Sequence, residues 1–94
     1  MRGPFSGDCW PGKSLWIDFF SREGSDYWAN LFNYESFRGT SQYYGAWIDM
    51  NEPSVFDGPE GILPKKVLHS INGTDRHHRD VHNAYGHLMA QATY

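Results

Sequence analysis

The chain has 94 residues, 39% of them apolar and 17% aromatic, with eight basic and eleven acidic side chains and a formal net charge of −3. That length allows one small domain, and that apolar share excludes a disordered chain. The acidic balance and scattered basic residues exclude nucleic-acid binding through a basic patch, and no apolar run is long enough for a membrane-spanning helix.

Residues 1–10, MRGPFSGDCW, contain no apolar core of a signal peptide. The stretch GPFSGDCWPGKS is rich in Gly, Pro and Ser and reads as loop. Cys9 is the only cysteine, so it can form no internal disulfide and reads as a small half-buried hydrophobe. Ser21 is a predicted N-cap for a helix over REGSDYWANLFNY, which places Tyr27, Trp28, Leu31 and Phe32 on one face. Gly24 weakens its first turn by roughly 1 kcal/mol relative to Ala, and Ser25 offers a second cap.

After the breaker FRGTSQ, the run YYGAWID predicts a strand buried on both faces of a parallel sheet. A period of two places Tyr43, Gly45, Trp47 and Asp49 on one face and Tyr44, Ala46 and Ile48 on the other. Residues 53–78 hold three prolines and three glycines and read as one long irregular loop. The last stretch, DVHNAYGHLMAQATY, sets Val81, Ala84, Tyr85, Leu88, Met89 and Ala92 at helical spacing behind Asp80 as the expected N-cap. It carries no stop signal. The expected order is loop, helix, strand, loop, helix. One strand cannot satisfy its own edges, so residues 1–94 are expected to be a fragment of an α/β fold, about one complete strand with its flanking helices and loops.

Asp49 is the leading catalytic candidate. A strand-end carboxylate two residues after Trp47 offers a sugar both an aromatic face and an acid. A retaining glycosidase needs one ionised carboxylate and a second, protonated one roughly 5–5.5 Å away. A turn or capping aspartate fits the same spacing. Glu52 is a possible second acid, although hydrogen bonds that shape the site suit it better. Trp10, Trp16 and Asp18 are further candidates for ligand contact, with core packing and helix capping as their alternatives. The five histidines form no metal motif, because Arg79 stands where HExxH needs Glu. Asn72-Gly73-Thr74 is an N-glycosylation sequon.

The stretch WIDMNEPSVF resembles the active-site signature of glycoside hydrolase family 31, the α-glucosidase family. GDCWPG with Asp18-Phe19, and HRDVHNAYG, resemble the segments before and after it. Val55 and the following FDGPE are most similar to the branch of glucosidase II catalytic subunits and neutral α-glucosidases. The loop LHSINGTDRHH is longer than its counterpart there. The resemblance implies a fragment of a (β/α)8 TIM barrel, with Asp49 as nucleophile and the acid/base residue on a later segment absent from this chain. It implies an intact retaining α-glucosidase that removes terminal α-linked glucose from oligosaccharides such as N-glycans, and an inactive fragment on its own. It further implies no cofactor, a non-catalytic β subunit as partner and the lumen of the endoplasmic reticulum as compartment. The alternatives are a non-catalytic sugar-binding remnant, or an enzyme of the same family acting on xylose or galactose.

Overall fold

The computed structural model describes residues 3–43 and 45–94. The first element corrects the expected loop. Ser6–Cys9 (β1) and Gly12–Leu15 (β2) form an antiparallel hairpin, with Ser6 opposite Leu15 and Cys9 opposite Gly12. Trp10 and Pro11 make its two-residue tip, so the Gly and Pro signals marked a turn within an element.

Arg22–Asn30 forms α1, capped as expected by Ser21, whose Oγ accepts the Gly24 N–H at 3.0 Å. Ser25 does not cap; its hydroxyl donates to the Phe19 carbonyl at 2.9 Å. A Cβ built on Gly24 would lie 2.2 Å from the Asp18 carbonyl oxygen. The glycine that costs helix propensity is what lets the chain double back at this corner. Trp28 turns inward and its Nε1 donates to Thr93 Oγ1 at 2.8 Å, while Tyr27 is exposed.

The predicted strand over 43–49 is not observed. Among the described residues, 45–50 make no strand ladder, and Trp47 is 89% exposed. Tyr44 lies outside the described residues. A strand exists only with a partner, and no described segment pairs with this one. Both sheets are two-stranded and antiparallel.

The long loop also contains unforeseen order. Pro59–Gly61 makes a 3-10 turn, and Leu68–Ile71 (β3) pairs with Thr74–His77 (β4) in a second hairpin. Asn72 and Gly73 turn it with φ of 51° and 78°, the paired positive values of a type I′ turn. His78–Val81 (α2), a 3-10 turn at His82–Ala84 and Tyr85–Thr93 (α3) complete the chain. Asp80 therefore lies inside α2 rather than at its cap. The His78 N–H reaches the Val67 carbonyl at 2.7 Å and the Arg79 N–H reaches Lys65 at 3.0 Å. Those main-chain bonds satisfy the first two of the helix's free donors without a side-chain cap.

The core consists of Phe19, Val55, Leu63, Val67 and Tyr85, with Leu88, Met89 and Ala92 of α3 packed against it. That is the apolar face expected of the last helix. Phe19 meets Trp28 and Tyr85 edge-on at 5.6 and 5.3 Å between ring centres, a favoured aromatic geometry.

Candidate active site

The hairpin β1–β2 holds Trp10 out at its tip, and residues 54–57 hold the hairpin in place. The Phe56 N–H donates to the Asp8 carbonyl at 2.7 Å, and the Asp8 N–H donates to Asp57 Oδ1 at 2.9 Å. The latter bond holds the Asp57 carboxyl below its ordinary pKa. Cys9, a free and half-buried thiol, donates to the Ser54 carbonyl at 3.6 Å. The ring of Phe56 meets Trp10 edge-on at 5.0 Å. These contacts carry Trp10 to the mouth of a cleft of about 390 Å³, whose walls include Trp16, Trp28, Asp49, Asn51 and Tyr85.

Asp49 reaches that cleft from an exposed bend. Met50 takes φ 59°, a left-handed conformation costly for a side chain with a Cβ. The Met50 N–H donates to Asp49 Oδ1 at 2.8 Å. Below the bend, Asn51 rests on α3: a Cβ on Gly86 would lie 2.8 Å from the Asn51 carbonyl oxygen. Tyr85 fixes α3 from the other side by donating its hydroxyl to the Ile17 carbonyl at 2.8 Å. Burial, and then the charge of Asp18, push the Tyr85 hydroxyl's pKa up, so it stays a neutral donor.

The structure thus brings Asp49 and Trp10 to one cleft, with Trp16 beside them. Trp47 is not among the residues lining it; same-face projection with Asp49 required the strand that does not form. Glu52 is exposed and also outside it, accepting a hydrogen bond from Ser54 Oγ. Asp18 engages the second hairpin instead. Its Oδ1 accepts from His69 Nδ1 at 2.8 Å and Phe20 N at 3.1 Å, and its Oδ2 from Ser70 N at 2.7 Å. Burial alone would raise the Asp18 carboxyl, but the His69 and Ser70 hydrogen bonds lead the effects that hold it below its ordinary value. Asn72 is exposed at the tip of the β3–β4 turn.

Asn51, Tyr85 and Gly86 were not singled out as site residues by sequence. The helical face over 81–92 marked Tyr85 only as core, and no pattern in the sequence shows which glycine faces the Asp49 bend. Among the described residues, no group of three or more His, Cys, Asp or Glu is placed to hold a metal ion, and no helix is long and apolar enough to cross a membrane.

Comparison with known proteins agrees with the layout of these segments. The glycosyl hydrolases family 31 TIM-barrel domain matches residues 2–94. Glucosidase 2 subunit alpha of Schizosaccharomyces pombe is 42% identical over 90 residues, which is 96% of this chain and 9% of that protein. Neutral alpha-glucosidase AB of Homo sapiens is 43% identical over 89 residues, 95% of this chain and 9% of that protein. A crystal structure of the ER glucosidase II heterodimeric complex, catalytic subunit with the binding domain of the regulatory subunit, superposes with a TM-score of 0.86 at 49% identity, covering 96% of this chain and 10% of that one. A Glc1Man2-bound glucosidase II alpha subunit superposes with a TM-score of 0.88 at 47% identity, covering 97% of this chain and 10% of that one. The chain spans about a tenth of the length of the relatives it matches. With the family match running through both hairpins, the Asp49 bend and α3, the chain belongs to glycosyl hydrolase family 31, in its TIM-barrel domain.

Proposed function

We propose that this chain carries the nucleophile segment of a retaining α-glucosidase, with Asp49 as the nucleophile and Trp10 as a wall of the sugar site. The observation that carries the reading is the shared cleft: the aspartate of the DMNEP segment and an exposed tryptophan from a separate hairpin line one largely apolar recess. An aromatic ring covers the C–H face of a sugar, and a carboxylate beside it meets the anomeric carbon. The whole protein would place 43–49 as a barrel strand, its edges covered by neighbours, with Asp49 at the C-terminal end where such barrels hold their chemistry.

In the proposed reaction an Asp49 oxygen bonds to the anomeric carbon as the glycosidic C–O bond breaks. The leaving oxygen takes a proton from an acid on another segment. Water, deprotonated by that same group, then releases glucose from the glucosyl-enzyme. Two displacements at one carbon return the original configuration. Glu52, hydrogen-bonded to Ser54, supports the bend, and Asp18 anchors the second hairpin. The substrate class is an oligosaccharide with terminal α-linked glucose, such as an N-glycan, consistent with the Glc1Man2 bound by a relative. The heterodimeric relative supports a regulatory β subunit as partner and the endoplasmic reticulum as compartment.

The test is a mechanism-based label, a fluoroglucoside or a cyclitol epoxide, applied to the full-length protein. Mass spectrometry should place one adduct on the peptide containing Asp49, and on Asp49 within it. An adduct on Glu52, or no adduct under conditions that label glucosidase II, would overturn the assignment.

A further inference from the structure

Four buried or half-buried groups outside the cleft are joined in series. Asp18 Oδ1 lies 2.8 Å from His69 Nδ1, His69 Nε2 lies 2.8 Å from His78 Nδ1, and His78 Nε2 lies 2.7 Å from His82 Nδ1. They come from four places in the fold: the corner before α1, strand β3, the first residue of α2 and the 3-10 turn that follows. His78 is fully buried and His69 nearly so.

Proton positions follow from the chemistry of the ends. An ionised carboxylate can only accept, so His69 Nδ1 donates to Asp18. Neutral His69 then has only an acceptor at Nε2, so His78 Nδ1 donates to it. By the same step His82 Nδ1 donates to His78 Nε2. All three rings are fixed as Nδ1–H tautomers, each bond holds one proton, and His82 Nε2 at the half-buried end keeps a lone pair.

We propose that Asp18, His69, His78 and His82 form a single-proton site: the chain of bonds takes up one proton at His82 and keeps every hydrogen bond, and a second proton breaks one of the three. The first uptake balances without any other reactant. Hydronium from the solvent gives a proton to His82 Nε2 and leaves as water. The His82 Nδ1 proton passes to His78 Nε2, the His78 Nδ1 proton to His69 Nε2, and the His69 Nδ1 proton to Asp18. The end state has a neutral carboxyl, three neutral Nε2–H rings and the same three bonds reversed. A second proton has no empty position, so two N–H or O–H groups must face each other across one bond.

The surroundings favour so small a capacity. Tyr85 of α3 is a titratable ring packed against the series, 6.0 Å from His69 and 6.3 Å from His78, and it stays neutral. Phe20 covers His69 at 4.7 Å. Arg76 of β4 stands opposite His69 in the hairpin register and adds positive charge. His77, Arg79 and Asp80 flank His78 and are exposed, as are Asp75 on β4 and His87 on α3. The linear order also distinguishes these groups from a metal cage, whose ligands converge on one point.

Nitrogen-15 NMR of the histidine rings of the 94-residue chain tests this, with exposed His87 as reference. At neutral pH, His69, His78 and His82 should all show Nδ1–H tautomers. On acidification they should share one inflection worth one proton with the hairpin cross-peaks retained. The next proton should coincide with loss of one of the ring N–H signals held within the series. Asp18→Asn keeps the shape but removes the anionic end, so it should move the shared inflection to lower pH. Nε2–H tautomers at neutral pH, three separate inflections with the hairpin intact, or an unchanged inflection in Asp18→Asn would each overturn the proposal. So would three rings that titrate as free imidazoles because the series does not form.

Discussion

Asp49 and Glu52 stand three residues apart, yet the bend at Met50 gives them different surroundings. Asp49 enters the cleft beside Trp10, whereas Glu52 is tied to Ser54 outside it. Their substitutions should differ accordingly in the full-length protein. Asp49→Asn keeps the shape and removes the proposed nucleophile, so kcat on an aryl α-glucoside should fall by roughly 10³-fold or more, with KM changing little. Glu52→Gln should keep most of the turnover, its effect limited to the order of tenfold through the geometry of the bend. Near-normal turnover in Asp49→Asn would remove the nucleophile assignment. Trp10, 73% exposed at its hairpin tip, is predicted to act through binding. Trp10→Ala should raise KM several-fold while the covalent label still reaches Asp49.

Two glycines show how elements constrain one another. In an exposed helix, Gly→Ala gains about 1 kcal/mol. At Gly24 the new methyl would sit 2.2 Å from a main-chain carbonyl of the α1 corner, which has no soft side chain to yield. Gly24→Ala should therefore destabilise the chain by more than ~1 kcal/mol, reversing the propensity effect; a raised urea midpoint would contradict this. Gly86→Ala acts at the other helix and pushes on the Asn51 carbonyl. If the full-length protein is the proposed α-glucosidase, Gly86→Ala should lower kcat more than it changes KM, because it displaces the bend that carries Asp49 without filling the cleft. Equal effects on both constants would leave Gly86 no positioning role. Local signals of this kind were legible in part. Ser21 capping α1 and the apolar face of α3 followed from spacing and chemistry. Asn72-Gly73 between β-branched residues is a hairpin signal, obscured here because the same residues spell a sequon. The strand over 43–49 rested on composition, which describes a strand's surroundings and cannot supply its partners. Asp80 failed as a cap because the helix begins at His78, where the carbonyls of Lys65 and Val67, distant in sequence, accept its first two N–H groups. The cleft was legible in Asp49 and Trp10, each marked by its residue type, and not in Asn51, Tyr85 or Gly86, whose roles depend on approach between distant segments.

At the scale of the whole molecule, the histidine series links the corner before α1 to β3 and α2, and its titration should set how stability depends on pH. His78 has its pKa lowered to about 4, first by burial and then by the charges of His69 and His82. In the unfolded chain a histidine titrates near 6.5. Above that value His78 is neutral in both states, and its contribution to stability is fully present. As pH falls from about 6.5 towards about 4, the unfolded state binds a proton that the folded state refuses, so stability must decline over this window. The difference corresponds to the order of 3 kcal/mol, a large share of what a chain of this size can hold. Asp18, whose folded carboxyl lies below its ordinary value, adds a further loss only as pH drops through the carboxylate range. Urea midpoints of the 94-residue chain should therefore be flat above about pH 7 and fall steadily below about pH 6, before the carboxylates titrate. His78→Gln removes the titrating ring, so its curve should start lower at neutral pH and be flatter across the same window. If that variant does not fold, the slope of the unsubstituted chain still decides the matter. A midpoint independent of pH between about 6.5 and about 4 would mean that His78 takes up its proton as readily folded as unfolded, and the series would not govern the acid stability of the fold.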